Sequence, residues 1–152
     1  MITINNNMYV LDTDNTSYAF AVLGSGQLEH LYYGRKLHAN EAMMTEKHTF
    51  IPGNTNVYNK DYSSYSLEDV CLEMSSLGKG DIREPFIEVT YPNGSSTTDM
   101  VFDRAEIIQG KEEYDTLPGS YDDNGEVEQL VIYLKDRNYN LTCLLYTSDA
   151  AD

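Results

Sequence analysis

The sequence has no tryptophan, two cysteines, and only ten lysines and arginines against 25 aspartates and glutamates. Each shortage excludes something. A formal net charge of −15 at pH 7 with no basic cluster repels phosphate backbones, so a nucleic-acid partner is not expected. No apolar run approaches the roughly 20 residues that a spanning helix needs, so no membrane partner is expected either. The opening MITINNN has neither a charged stretch nor an apolar core of the signal-peptide kind. Of the two cysteines, Cys143 falls in a C-terminal string set aside below, and Cys71 alone cannot build a disulfide framework, so a cytoplasmic location is the expectation. Without tryptophan, any aromatic platform would fall to the 13 tyrosines, and tyrosine in alternating strands usually serves sheet packing.

The last ten residues read CLLYTSDAAD, which matches one reading frame of a common transposase sequencing adapter. Residues 143–152 are therefore expected to be a non-native, adapter-derived tail. The run before them supports that reading. Residues 127–141 read as a strand, a turn at Asp136-Arg137-Asn138, and the start of a second strand that does not finish. The expectation is a partial N-terminal domain over residues 1–142, large enough for a real core. The charge stays strongly negative without Asp149 and Asp152.

Periodicity in what remains is mainly that of strands. Residues 8–11 precede a turn at 12–15. Residues 16–23 then alternate, with Tyr18, Phe20 and Val22 on one face and Ser17, Ala19, Ala21 and Leu23 on the other. Gly24-Ser25-Gly26 predicts a tight turn into a strand over 27–33. Residues 86–91 place Ile87, Val89 and Tyr91 on one face, before a turn at Pro92-Asn93-Gly94-Ser95. Residues 97–108 resume the extended pattern, and 127–134 turn Leu130, Ile132 and Leu134 inward. Only 68–74 could coil into a short helical turn, with Ser66 as its cap. Short strands at intervals of about ten residues predict an all-β, antiparallel β-sandwich, incomplete at its C-terminal edge. Two long connections, 34–80 and 110–126, exceed what a compact domain needs for linking alone.

Chemistry is sparse. His30, His38 and His48 lie eight and ten residues apart, without metal-ligand spacing, so no metal site is expected. Cys71, among Val70, Leu72 and Met74, reads as a small buried apolar residue and not as a nucleophile. Gly78-Lys79-Gly80 lacks the rest of a phosphate-binding loop. No pair among the carboxylates is singled out for glycosidase chemistry. The catalytic residues expected in this chain are thus none. Asp81-Ile82-Arg83 stands apart, because it follows two glycines and precedes Pro85 and an extended segment. Arginine suits bidentate contact with carboxylates, and aspartate accepts hydrogen bonds from sugar hydroxyls. Asp81 and Arg83 are therefore candidates for ligand or interface contact, with a local ion pair at the loop's exit as the simpler alternative.

Three blocks resemble the N-terminal domain of glycoside hydrolase family 36, whose members are chiefly α-galactosidases. They are LEHLYYGRK at 28–36, the segment 65–89, and Leu117-Pro118-Gly119-Ser120-Tyr121 with the acidic turn and strand after it. In the second block the matching elements are Tyr65-Ser66-Leu67, Glu73-Met74, and Gly78-Lys79-Gly80-Asp81-Ile82-Arg83-Glu84-Pro85. The resemblance implies a large, supersandwich-like β-domain ahead of a catalytic (β/α)8 barrel. That barrel carries an aspartate nucleophile and an aspartate acid/base for a retaining mechanism. Both aspartates would lie beyond residue 142, so the fragment itself is expected to be inactive.

The resemblance further implies no cofactor and, as partners, the protein's own barrel and other subunits of a homo-oligomer, often a tetramer. Galactosides would be met through a neighbouring subunit's active site. Family positions that reach that site are occupied here by Lys47, ahead of Phe50-Ile51-Pro52, and by Ser63, ahead of Tyr65-Ser66-Leu67. These departures weaken the expectation of direct substrate contact at both. Two other readings remain open: a free carbohydrate-binding module, which would be a complete domain with an exposed aromatic platform, and a purely structural oligomerisation domain.

Overall fold

The computed structural model describes residues 1–38, 57–63, 66–110 and 127–148. Seven strands form in chain order: β1 (Ile2–Asn5), β2 (Met8–Asp12), β3 (Thr16–Val22), β4 (Leu28–Arg35), β5 (Met100–Gln109), β6 (Glu128–Asp136) and β7 (Thr142–Ser148). They make two antiparallel sheets, one in the order β1-β2-β3-β4 and the other β5-β6-β7. The core lies between the sheets. Tyr9, Leu11, Phe20 and Leu28 from the first meet Met100, Leu130, Ile132 and Leu134 from the second. Directly paired across β2 and β3, the rings of Tyr9 and Phe20 stack with centroids 4.9 Å apart. A sandwich is the arrangement these alternating strands require, since each sheet has one face to bury.

β3 is covered on both faces. Tyr18, Phe20 and Val22 point to the main core, while Ala19 packs with Met8 on the opposite side. The turn after it forms as its glycines suggest. Gly26 takes φ +97°, and its N–H donates to Leu23 O at 2.7 Å. Residues 71–73 then run along the outer edge of β4. His30 N donates to Cys71 O at 2.6 Å, and Glu73 N to Leu28 O at 3.0 Å. Among the described residues, this short partner covers part of the outer edge of β4.

Three local expectations differ from what forms. Residues 86–91 keep their alternation, with Ile87, Val89 and Tyr91 turned inward, but make no ladder among the described residues. Phe86 N to Ser75 O and Tyr91 N to Ser95 O hold the two ends of the segment. Alternation selects a face; a strand also needs a paired neighbour. Residues 66–70 make a single turn and no helix: Asp69 N donates to Ser66 O at 3.0 Å, after which Leu72 bridges back to Glu29. That edge pairing competes with any continuation of a helix. Lastly, the strand after the Asp136 turn does finish. β7 pairs with β6 from Lys135↔Thr142 to Gln129↔Ser148, across the residues read as a tail.

Candidate functional site

The loop of residues 75–86 is built around Asp81 and Arg83. Gly78 and Gly80 enter it with φ of +83° and +87°, a region that L side chains avoid. A Cβ on Gly78 would sit 2.9 Å from Thr97 Oγ1, so the loop also needs the empty space there. Leu77 and Thr98 pin this end, with Thr98 N donating to Leu77 O at 3.1 Å. The structure brings Asp81 and Arg83 together. Arg83 Nε donates to Asp81 Oδ1 at 2.8 Å, and Arg83 N donates to the same oxygen at 3.1 Å. Arg83 Nη2 donates to Leu67 O at 2.8 Å and to Val70 O at 2.7 Å. The Asp81 side chain has no exposed surface. Burial pushes its pKa up, but hydrogen bonds from the Arg83 side chain and backbone and from Ser75 outweigh that and hold it below the usual range. Chemically, the pair is occupied with itself and with the 66–70 turn. This is the geometry of a loop anchor.

A second polar cluster had no local signature in the sequence. Asp99, just before β5, is buried. Its carboxylate accepts from Tyr58 Oη at 2.7 Å and from Gln27 Nε2 at 3.0 Å. Lys79 Nζ and Arg137 Nε stand 3.8 and 3.6 Å from it. Asp99 N donates to Asp136 Oδ2 at 2.7 Å, and Arg137 also donates to Ser25 O. Burial, then the bond to Asp99, raises the Tyr58 pKa. The hub ties the β3–β4 turn, the 78–80 loop, the start of β5 and the β6–β7 turn into one end of the sandwich. Its partners lie 72 and 41 residues apart in sequence, beyond any short motif.

His30, weighed as a metal ligand, is instead bonded through Nδ1 to Glu73 Oε1 at 2.7 Å. Tyr18 lies against both, and its pKa is pushed up first by burial and then by its bond to Glu73. Tyr18 and Glu73 line a cavity of about 250 Å³ with Phe20, Phe86, Ile132 and Tyr146. Among the described residues no group of His, Cys, Asp and Glu could hold a metal ion. Cys71 is exposed, contrary to its reading as a buried residue. Ser63 is exposed in the turn after Tyr62. Lys47, His48, Phe50-Ile51-Pro52, Tyr65 and Leu117-Pro118-Gly119-Ser120-Tyr121 lie outside the described residues.

Two antiparallel sheets packed on a shared core define an all-β sandwich domain. The glycosyl hydrolase family 36 N-terminal domain model matches residues 26–151, and the chain belongs to that family. It is 33% identical over 135 residues to the bifunctional α-galactosidase/sucrose kinase AgaSK of Mediterraneibacter gnavus, covering 88% of this chain and 14% of that protein. To α-galactosidase AgaA of Geobacillus stearothermophilus it is 31% identical over 145 residues, covering 91% of this chain and 19% of that protein. Among solved structures, the galactosidase domain of AgaSK superposes with a TM-score of 0.82 at 30% identity, over 100% of this chain and 21% of that one. The α-galactosidase of Lactobacillus brevis gives 0.80 at 29% identity, over 95% and 20%. The chain thus spans about a fifth or less of the length of the relatives it matches. The catalytic barrel is absent from it.

Proposed function

We propose that this chain is the N-terminal accessory domain of a retaining α-galactosidase that removes terminal α-galactosyl residues from oligosaccharides. The observation that carries this reading is the match over nearly the whole chain to proteins named α-galactosidases, at up to 33% identity. Both catalytic carboxylates belong to the barrel, so this domain's work is architectural: it shapes and packs and does no bond breaking. Asp81 and Arg83 act through the loop they anchor, influencing assembly or the preference for the sugar's leaving group. The parent enzyme is a cytoplasmic homotetramer in this reading, with galactosides reached through a neighbouring active site. The free thiol of Cys71 suits a reducing compartment. The string CLLYTSDAAD keeps residues 143–152 as an adapter-derived tail.

Hydrolysis of a chromogenic α-galactoside tests the reading. The parent protein should turn the substrate over and the 152-residue chain should not. Activity in the short chain would place catalysis in the wrong domain. Tight galactoside binding by the short chain as a monomer would favour a free carbohydrate-binding module instead.

A further inference from the structure

Asn93 and Gly94 stand exposed at the tip of the turn that follows residues 86–91. An Asn-Gly pair carries a reaction of its own. The Gly94 peptide nitrogen can attack Asn93 Cγ, and no side chain on the glycine shields it. The space is open as well, since a Cβ on Gly94 would meet nothing within 4 Å. The N–Cγ bond forms and the Cγ–Nδ2 bond breaks. Nδ2 departs as ammonia, taking up the proton that Gly94 N gives to solvent. Water then opens the cyclic imide at one carbonyl or the other, leaving aspartate or isoaspartate. Water is the only co-reactant.

The fold holds each atom that this reaction moves. Gly94 N donates to Tyr91 O at 2.8 Å, closing the turn on the nucleophile. Asn93 Oδ1 accepts from Ser95 N at 3.0 Å. Asn93 Nδ2, the leaving group, donates to Tyr139 Oη at 3.2 Å, from a turn 46 residues further on. Tyr139 is itself fixed. Its ring stacks on Tyr91 with centroids 3.6 Å apart, and its N–H donates to Asp136 Oδ1 at 2.9 Å.

We propose that Asn93 is a latent deamidation site gated by Tyr139, converting from the opened turn and held back in the closed one. Conversion runs one way. The product carboxylate has no proton to donate to Tyr139, and it adds a negative charge to a chain already at −15. Isoaspartate also inserts an extra main-chain atom ahead of Gly94, so Gly94 N and Ser95 O no longer meet Tyr91 in register. The modified residue is thus a lasting record that the turn has opened.

Peptide mapping of the 152-residue chain in mildly alkaline buffer tests this, with the aspartate and isoaspartate products separated by chromatography. A second pair, Asn124-Gly125, provides a reference in the same chain. In guanidinium chloride both pairs should convert at similar rates, which sets the unhindered value. In native buffer Asn93 should convert at least about tenfold more slowly than that value. Tyr139→Phe keeps the ring on Tyr91 but removes the acceptor, so conversion at Asn93 should quicken about fivefold, the share of one neutral hydrogen bond. Hydrogen exchange through β3 should stay unchanged in that variant. Equal rates at Asn93 in native buffer and in denaturant overturn the proposal. A Tyr139→Phe rate equal to that of the unaltered chain overturns it too. So does acceleration accompanied by faster exchange through β3, because general loosening would produce both.

Discussion

The guanidinium of Arg83 reaches back along the chain to the carbonyl of Val70, 2.7 Å away, while its Nε holds Asp81 Oδ1 at 2.8 Å. One planar group thus joins the exit of the loop to the turn that precedes it. Lysine cannot reproduce that fork. Arg83→Lys should leave a turn carbonyl without its donor and cost about 1–2 kcal/mol. A lower urea midpoint with an unchanged slope would be the expected result. A midpoint equal to that of the unaltered chain would mean the clamp contributes nothing to stability.

Asp81 has a lowered pKa in the folded state. Its contribution to stability is therefore present above the carboxylate's unfolded value of about 3.9 and is lost as pH falls through the folded one. Asp81→Asn should destabilise the chain at neutral pH and make little difference in strong acid. Urea midpoints measured from pH 7 down to pH 2 should converge for the two proteins. Parallel curves would show that the lowered pKa does not feed into folding.

Asp99 is the acceptor on which Tyr58 and Gln27 both depend. Asp99→Ala strands those donors and removes the charge facing Lys79 and Arg137, an expected loss of about 3 kcal/mol. Tyr58→Phe should cost less, about 1.5–2 kcal/mol, because it removes one bond to a charged acceptor. The double variant should be less destabilised than the sum of the two, since both remove the same bond. Strict additivity in chemical denaturation would show that the hub is not cooperative.

Gly78 has φ +83° and faces Thr97 Oγ1 at 2.9 Å from where a Cβ would stand. Gly78→Ala should cost about 1–2 kcal/mol from the backbone alone. Adding Thr97→Ala should recover the part due to contact and leave the conformational part. Full recovery would show that the positive φ carries no penalty there.

β2, β3, β4 and β6 could be read from sequence, β3 and β6 from their alternation and β2 and β4 from the turns beside them, whereas β1 was not anticipated. Leu130, Ile132 and Leu134 are buried as their spacing indicates. Residues 86–91 misled because alternation specifies which side chains go inward and says nothing about a ladder partner. The Asp99 hub was hidden for a related reason. Asp99, Tyr58, Gln27 and Arg137 come from four separate segments, and no one of them is unusual in its own neighbourhood. The pairing of Asp81 with Arg83 was legible because it is local. What Arg83 does with its other nitrogen was not, since Leu67 and Val70 offer backbone carbonyls that any residue type carries.

Cys71 shows the same limit and gives a direct measurement. Val70 belongs to a buried cluster and Leu72 packs against it, but the extended stretch beside β4 turns Cys71, between them, to the surface. Cys143 is partly covered, and burial raises its thiol pKa. The thiolate is the reactive form, so the two cysteines should separate kinetically. A disulfide reagent at pH 8 should show one fast and one slow phase of equal amplitude. Cys71→Ser should abolish the fast phase, and moderate urea should speed the slow one. A single slow phase for both thiols in the unaltered protein would put Cys71 back in the interior and overturn the edge pairing of residues 71–73 with β4.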